Sequence, residues 1–269
     1  MTFSPITLGA RLRTAEVAGF VLTETTHQPN HRLPRHNHEL PNIAFVLQGS
    51  FDEILDRRSF DCQPQSLLIK PAGEAHANRY GTTGMRCLVI EFQQRQLESL
   101  RCWSQAFNQV SHFRGSNLSL LGTRIYKEFR LMDAATPLAI EGLMLELVAG
   151  LSRRRSPAER QRPRWLDRAR EILEADFQEN ISLTRVAEAV DVHPVHLARV
   201  FRKQFTCTPG EFVRQLRINF ACRQLSQSDT PLVEIALASG FAHQAHFNRV
   251  FKAQTGMTPS EFRTTFRLR

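Results

Sequence analysis

One stretch of this chain is written twice. Residues 193–212 (HPVHLARVFRKQFTCTPGEF) and 243–262 (HQAHFNRVFKAQTGMTPSEF) align without a gap at an offset of 50. Ten of the twenty pairs are identical: His193/His243, His196/His246, Arg199/Arg249, Val200/Val250, Phe201/Phe251, Gln204/Gln254, Thr208/Thr258, Pro209/Pro259, Glu211/Glu261 and Phe212/Phe262. Unrelated segments would share about one, so a single supersecondary unit is used twice.

The local signals around each copy say what the unit is. Ser182 before LTRVAEAV, and Thr230-Pro231 before LVEIALAS, mark helix starts, the second with Pro at the first helical position. Each short helix leads into a tight turn. In the second copy the turn holds Gly240, which adopts φ > 0 at little cost; the matching position of the first is Asp191. A second helix follows each turn. Helix, short turn and helix make a helix-turn-helix, whose second helix enters the major groove of DNA. Between the copies, EFVRQLRINFACRQL (211–225) is a connecting helix of about 22 Å.

Periodicity sorts each second helix into faces. Leu197, Val200, Phe201 and Phe205 in one copy, and Phe247, Val250 and Phe251 in the other, recur at helical spacing and form a core face. The opposite stripe holds Val195, Ala198, Arg199 and Arg202, against Gln244, Ala245, Asn248, Arg249 and Lys252. Core positions are shared while most exposed ones differ, as expected of one scaffold presented to two targets. Arg199/Arg249 is the side chain that the two stripes share, and Arg is the commonest reader of guanine. The His193/His196 and His243/His246 pairs have metal-like spacing, but no further ligand sits nearby. They read as a cap residue followed by a half-buried helix histidine.

Charge agrees with this assignment. Residues 1–150 hold 15 Lys/Arg against 14 Asp/Glu, a net of +1, while residues 151–269 hold 20 against 12, a net of +8. The repeat-bearing third therefore carries most of the total of +9 and attracts a polyanion such as DNA. Five widely spaced cysteines form no C-x-x-C pair and no disulfide framework, which favours a reducing, cytoplasmic setting. Cys62 and Cys87 read as buried strand residues rather than redox sensors. The first residues lack the basic-then-apolar pattern of a leader, and no run of about 18 apolar residues suggests a membrane span.

The N-terminal half is patterned differently. From about Pro29 to Phe92, the short apolar runs IAFVLQGSF (43–51), SLLIKPAG (66–73) and MRCLVIEF (85–92) are punctuated by Gly and Pro, indicating strands of a sandwich or small barrel. Residues 93–151 turn helical, most clearly in LLGTRIYKEFRLM and LAIEGLMLELVAGL. SRRRSPAERQRPR (152–164), with six arginines and two prolines, is a solvated linker. The expected organisation is α+β: a strand-rich sensor domain (1–98), a helical dimerisation or packing segment (99–151), the basic linker (152–164) and a double helix-turn-helix domain (165–269).

Residues 165–267 resemble the DNA-binding domain of AraC/XylS-family bacterial transcription regulators. IALASGFAHQAHFNRVFKAQTGMTPSEFR (235–263) matches the family signature nearly throughout, including Gly240-Phe241, Phe247, Arg249, Phe251, Gly256, Pro259 and Phe262. The resemblance implies two helix-turn-helix units, joined by a linker helix, reading successive major grooves. Carried over by position, the base-facing residues are Val195, Ala198 and Arg199 in the first unit. In the second they are Gln244, Ala245, His246, Asn248 and Arg249, with Arg202 and Lys252 toward phosphates. His193 departs from the Ser-type cap of the pattern, and Val195/Ala198 offer few donors, so the second unit is expected to be the better base reader.

The N-terminal half resembles the cupin-like sensor barrel joined to many such regulators. His36-Asn37-His38, Gly49 and Pro71-x-Gly73-x-x-His76 echo the two cupin motifs. His36, His38 and His76 are thus either a three-His metal site or histidines lining a pocket. The Glu that metal-dependent cupin enzymes carry after the second His is absent, Asn42 and Ile43 standing there, so no metal or other cofactor is expected. His36, His38, Phe45, His76, Asn78 and Tyr80 are the candidate pocket residues. The expected function is a DNA-binding transcription regulator controlled by a small effector and not an enzyme. Its partners are double-stranded DNA, the effector, a second copy of the chain and RNA polymerase. The alternative is a metal-dependent cupin enzyme with an appended DNA-binding module.

Overall fold

The computed structural model describes residues 9–94, 96, 107–114, 116–154, 163–205 and 207–267. The chain divides into two compact units, residues 1–152 with 265–269, and residues 153–264. The break falls at the start of the arginine-rich stretch. Residues 155–162 of the expected linker, and Cys102, lie outside the described residues.

The first unit is built on an antiparallel sheet. Its strands are β1 (Ala10–Val17), β2 (Phe20–His27), β3 (Arg32–His36), β4 (Asn42–Ile54), β5 (Ser59–Cys62), β6 (Leu67–Lys70), β7 (His76–Phe92) and β8 (Ser111–Phe113). The order is β1-β2-β7-β4-β6-β8, with β3 also on β7 and β5 also on β4. Two long strands organise everything. The first part of β4 pairs with β6 and its last part with β5, while β7 pairs first with β3 and later with β2. Register shifts at Val46/Gln48 and Gly49/Phe51 mark where the pair bends. Gly49 (φ 70°) and Gly84 (φ 70°) meet there so closely that a Cβ on Gly49 would lie 1.9 Å from the Gly84 carbonyl oxygen. Only glycine on both strands permits that bend.

Bending gives the sheet an inside and an outside. Ala44, Val46, Leu68 and Cys87 line the inner face and cluster with Phe51, Tyr80 and Met85. Ile43, Phe45, Leu67, Ile69, Leu88 and Ile90 alternate with them on the outer face and are fully buried. Among the described residues, two long helices pack in this unit, α1 (Asn117–Leu131) and α2 (Thr136–Arg154). Gly122 of α1 sits against the Phe45 ring, where a Cβ would approach Cδ2 to 2.4 Å.

Two expectations need correction. The strands extend further toward the N-terminus than Pro29: β1 (ARLRTAEV) has no apolar run, and that of β2 (FVLTETTH) is only three residues long. Residues 111–113, expected to be helical, form β8 on the edge of β6.

The second unit is helical: α3 (Arg164–Ala175), α4 (Leu183–Ala189), α5 (Pro194–Phe205), α6 (Pro209–Gln227), α7 (Leu232–Ala238), α8 (Gln244–Thr255) and α9 (Pro259–Phe266, its last two residues counted with the first unit). Ser182 caps α4, its side chain accepting from the Arg185 N–H at 3.2 Å. Thr230 does not cap α7. Pro231 is the N-cap, without a side-chain bond, so the helix starts one residue later than expected, at Leu232. The connecting helix α6 runs 19 residues, about 28 Å, longer than the apolar pattern suggested. Thr208 and Glu211 extend it backward as a capping box: the Glu211 N–H donates to Thr208 Oγ1 at 3.2 Å and Glu211 Oε2 accepts from the Thr208 N–H at 2.7 Å. Thr258 and Glu261 repeat the box at the head of α9.

Candidate nucleic-acid interface and barrel pocket

The repeat folds as two helix-turn-helix units, α4–α5 and α7–α8. Asp191 (φ 53°) and Gly240 (φ 82°) hold the same left-handed position in the two turns. The Val192 N–H donates to the Ala187 carbonyl and the Phe241 N–H to the Ala236 carbonyl, each at 3.0 Å. These bonds place Asp191 opposite Gly240 and Val192 opposite Phe241, an offset of 49. After the turn the offset is 50, so the second turn holds one additional residue, Ala242, which is exposed.

Each unit packs as its periodicity implied. Leu197 and Phe201 are buried in a cluster with Leu166, Ala169, Leu173 and Val186, and Val200 and Phe205 pack partly against it. Phe247 and Phe251 are fully buried, while Val250 is half-buried. On the opposite side Val195, Arg199 and Arg202 of α5, and Ala245, Arg249 and Lys252 of α8, are exposed. Ala198, Gln244, His246 and Asn248 are half-buried, and Asn248 Oδ1 is buried with no hydrogen-bond partner among the described residues.

The histidine pairs part company. His193 caps α5, its Nδ1 accepting from the Val195 N–H at 3.3 Å, whereas His243 makes no side-chain cap bond. His246 is half-buried, edge-on to Phe241 at 5.5 Å. His196 is exposed, contrary to expectation, and its Nδ1 accepts from Arg199 Nη2 at 3.3 Å.

Arg217 of α6, which the sequence did not single out, ties the two units together. Its Nε donates to the Phe177 carbonyl at 2.7 Å and its Nη2 to the Glu179 carbonyl at 2.8 Å, and its guanidinium lies 5.9 Å from the Phe241 ring centre. Gly240 abuts the same loop: a Cβ there would fall 2.5 Å from the Gln178 carbonyl oxygen and 3.0 Å from Arg217 Nε. The loop after α3, the connecting helix and the second turn thus meet at one point, which fixes one unit against the other.

The barrel interior holds a small, open-mouthed cavity. Of the candidate pocket residues, His36, His38, Asn78 and Tyr80 line it. Phe45 does not. Strand alternation turns it to the outer face, under α1. His76 is fully buried beside the lining. Lining residues that the sequence did not flag include Thr25, His27, Asn42 and Lys70. Two of them lie on strands whose inward direction was not legible, and Lys70 ends an apolar run.

The rings of His36, His38 and His76 converge, with centroids 4.3–5.2 Å apart and one ligand nitrogen from each within 4.8 Å of the others. His36 Nδ1 lies 2.9 Å from the Pro34 carbonyl, and His76 Nδ1 lies 2.9 Å from the Glu74 carbonyl. Since a carbonyl only accepts, both Nδ1 atoms carry the proton and both Nε2 atoms present a lone pair. That arrangement suits metal ligation. At His76, however, the lone pair is taken: Lys70 Nζ donates to Nε2 at 3.2 Å. One lone pair serves an ammonium or a metal ion, not both. The three imidazoles therefore do not fit a resident metal while Lys70 holds this position.

Electrostatics follows from burial. Desolvation and then the Lys70 charge push His38 and His76 down to about 3, and burial, with His31 and Lys70, takes His27 to about 4. These imidazoles are neutral at physiological pH. Burial raises Glu53, whose Oε2 accepts from Asn78 Nδ2 at 2.8 Å and whose Oε1 is 3.8 Å from Lys70 Nζ. Burial also raises the Cys62 and Cys87 thiols, the latter to about 11, so both are inert.

Comparison with known proteins agrees with this geometry. A family model described as an AraC-like ligand binding domain matches residues 20–161, more than half of the chain. A second, described as a helix-turn-helix domain, matches residues 186–265. The chain is similar to "Probable transcription factor PqrA" of Proteus vulgaris, 38% identical over 74 residues, which are 27% of this chain and 61% of that protein. It is also similar to "Bifunctional transcriptional activator/DNA repair enzyme AdaA" of Bacillus subtilis, 31% identical over 79 residues, 29% of this chain and 37% of that protein. The matched stretches thus span less than two thirds of these relatives. Among solved structures, an AraC-type transcriptional regulator of Chromobacterium violaceum is 31% identical over 37% of this chain and 89% of that one, with a TM-score of 0.36. No helix among the described residues is long and apolar enough to cross a membrane. The chain, an α+β protein with a cupin-like antiparallel domain followed by a helical one, belongs to the AraC/XylS family of transcription regulators.

Proposed function

We propose that this chain is a sequence-specific DNA-binding transcription regulator whose barrel takes a small effector. The observation that carries the reading is the paired presentation of α5 and α8. The two helices start from matched left-handed turns, bury the same face and expose Arg199 and Arg249 at equivalent positions. In this reading Val195, Ala198 and Arg199 face bases from the first unit. Gln244, Ala245, His246, Asn248 and Arg249 do so from the second, with Arg202 and Lys252 on phosphates. Copy two offers more donors to base edges, so it supplies more of the discrimination.

A second copy of the chain pairs through α2, where Leu138 (76% exposed) and Leu145 (54% exposed) stand seven residues apart on one face. Contact with RNA polymerase and action in the cytoplasm belong to the same reading. The convergence of His36, His38 and His76 points toward a metal-dependent enzyme, but Lys70 takes the lone pair that its metal would need.

The test is selection of binding sites from a random duplex pool with the full chain, followed by a salt titration. One enriched motif with two elements about ten base pairs apart is expected, and log K should fall linearly with log salt. Arg249→Ala should cost about 1–3 kcal/mol on that motif and relax preference at one base. Absence of an enriched motif sinks the reading, and a uniform loss across all sequences would make Arg249 a phosphate contact.

A further inference from the structure

We propose that Lys70 is the fixed cation of the barrel, and that the effector it selects is a small molecule bearing a carboxylate. This rests on the reading of the barrel as an effector pocket and adds the ligand's chemical class.

Lys70 ends β6 and is 7% exposed, yet it lines the cavity. An ammonium has three hydrogens to donate. One goes to His76 Nε2, and Glu53 Oε1, at 3.8 Å, forms an ion pair with the ammonium but is beyond hydrogen-bond reach. Asn42 stands directly opposite Lys70 in the β4–β6 register, so the two side chains rise side by side on the inner face. Asn42 is 1% exposed, lines the same cavity, and its Nδ2 has no hydrogen-bond partner among the described residues. A buried amide donor without an acceptor costs about 1–3 kcal/mol unless something supplies one. A point charge beside an unsatisfied N–H is a two-donor seat, and a carboxylate has two oxygens to fill it.

The rest of the cavity favours the same class. Leu33, Ala44, Phe51, Met85 and Val89 form an apolar wall for the body of the ligand. A divalent cation meets a charge of its own sign and an occupied His76. One ammonium, with Glu53 close behind it, suits a single negative charge rather than a multiply charged phosphate.

The experiment uses the full chain purified without a histidine tag. Thermal unfolding is followed with millimolar acetate and isovalerate, and with the neutral amides acetamide and isovaleramide, at constant ionic strength. Isovalerate is expected to raise Tm by a few degrees, acetate less, and the amides at least about tenfold more weakly by apparent affinity. Lys70→Met should abolish the carboxylate response. Asn42→Asp, which sets a second anion beside the seat, should do the same if Lys70→Met does not fold.

Cobalt(II) gives an independent readout. Wild type should show no stoichiometric d–d absorption, whereas Lys70→Met, which frees the His76 lone pair, should acquire it. Equal responses to acids and amides, or a carboxylate response retained in Lys70→Met, would overturn the ligand class and leave the pocket standing. Silence of wild type toward both carboxylates overturns it too, and the pocket reading then stands or falls on the amides alone. Cobalt binding by wild type, one per chain and lost in His76→Ala, would replace Lys70 by a metal.

Discussion

Replacing Gly240 by alanine isolates the contact that fixes the two DNA-binding units against each other. Two penalties add. An L-residue at φ 82° costs about 1–2 kcal/mol. The new Cβ would also fall 2.5 Å from the Gln178 carbonyl oxygen and 3.0 Å from Arg217 Nε, and relieving such overpacking costs about 1–3 kcal/mol. The lower entropy of the unfolded alanine chain offsets about 0.4–1 kcal/mol. A net loss of about 1–5 kcal/mol follows, or roughly 5–25 °C in Tm for a unit of this size. Asp191→Gly is the control. It relieves the strained φ of 53° but adds unfolded-state entropy, so its stability should change by less than about 1 kcal/mol. Urea unfolding in a Trp103→Phe background leaves Trp165, the other of the two tryptophans, as reporter for the helical unit. A loss below about 1 kcal/mol for Gly240→Ala would refute the close approach, because backbone strain alone accounts for that much.

Two further outcomes are expected. Leu138→Glu with Leu145→Glu should shift sedimentation from dimer to monomer while leaving the unfolding midpoint of the first unit nearly unchanged, since both side chains are exposed; a monomeric wild type, or a variant that stays dimeric, excludes α2 as the interface. Thr208→Ala should cost about 0.5–2 kcal/mol at neutral pH through loss of the cap. Bonds from the Thr208 N–H and hydroxyl hold Glu211 below its usual value of 4.5. A depressed carboxylate contributes stability above its unfolded pKa and loses it as pH falls through the folded one. The gap between wild type and Thr208→Ala should therefore narrow as pH drops from about 5 toward 3, and a constant gap would mean that Glu211 does not take part.

The helical half was largely legible because its signals are local. Leu197, Phe201, Phe247 and Phe251 sit at helical spacing, and all four are buried. Gly240 marked its turn for the same reason. Arg217 was not legible, since its acceptors are backbone carbonyls some forty residues earlier in the chain and leave no trace in residue type. The barrel was harder. β1 has no apolar run because most of it is exposed, and β2, though largely buried, buries Thr23, Glu24 and Thr25 after its opening Phe-Val-Leu. Phe45 was placed in the pocket because the parity of a strand buried on both faces cannot be read from its composition. The histidines did converge as their motif spacing implied, but the side chain between them and a metal, Lys70, arrives from another strand.

The change of offset from 49 to 50 across the turns has a consequence for anyone recombining the two units. Sequence identity begins at His193 and His243, which invites a splice there. Cutting at that point keeps the recipient's turn, and Leu197/Phe247 and Phe201/Phe251 exchange in register, so the transplanted helix keeps its buried face. A cut inside the turn is different. It must switch to the offset of 49, Asp191 for Gly240 and Val192 for Phe241, and carry Ala242 with them. Held at 50, it would set Phe241 at the left-handed position that Asp191 occupies.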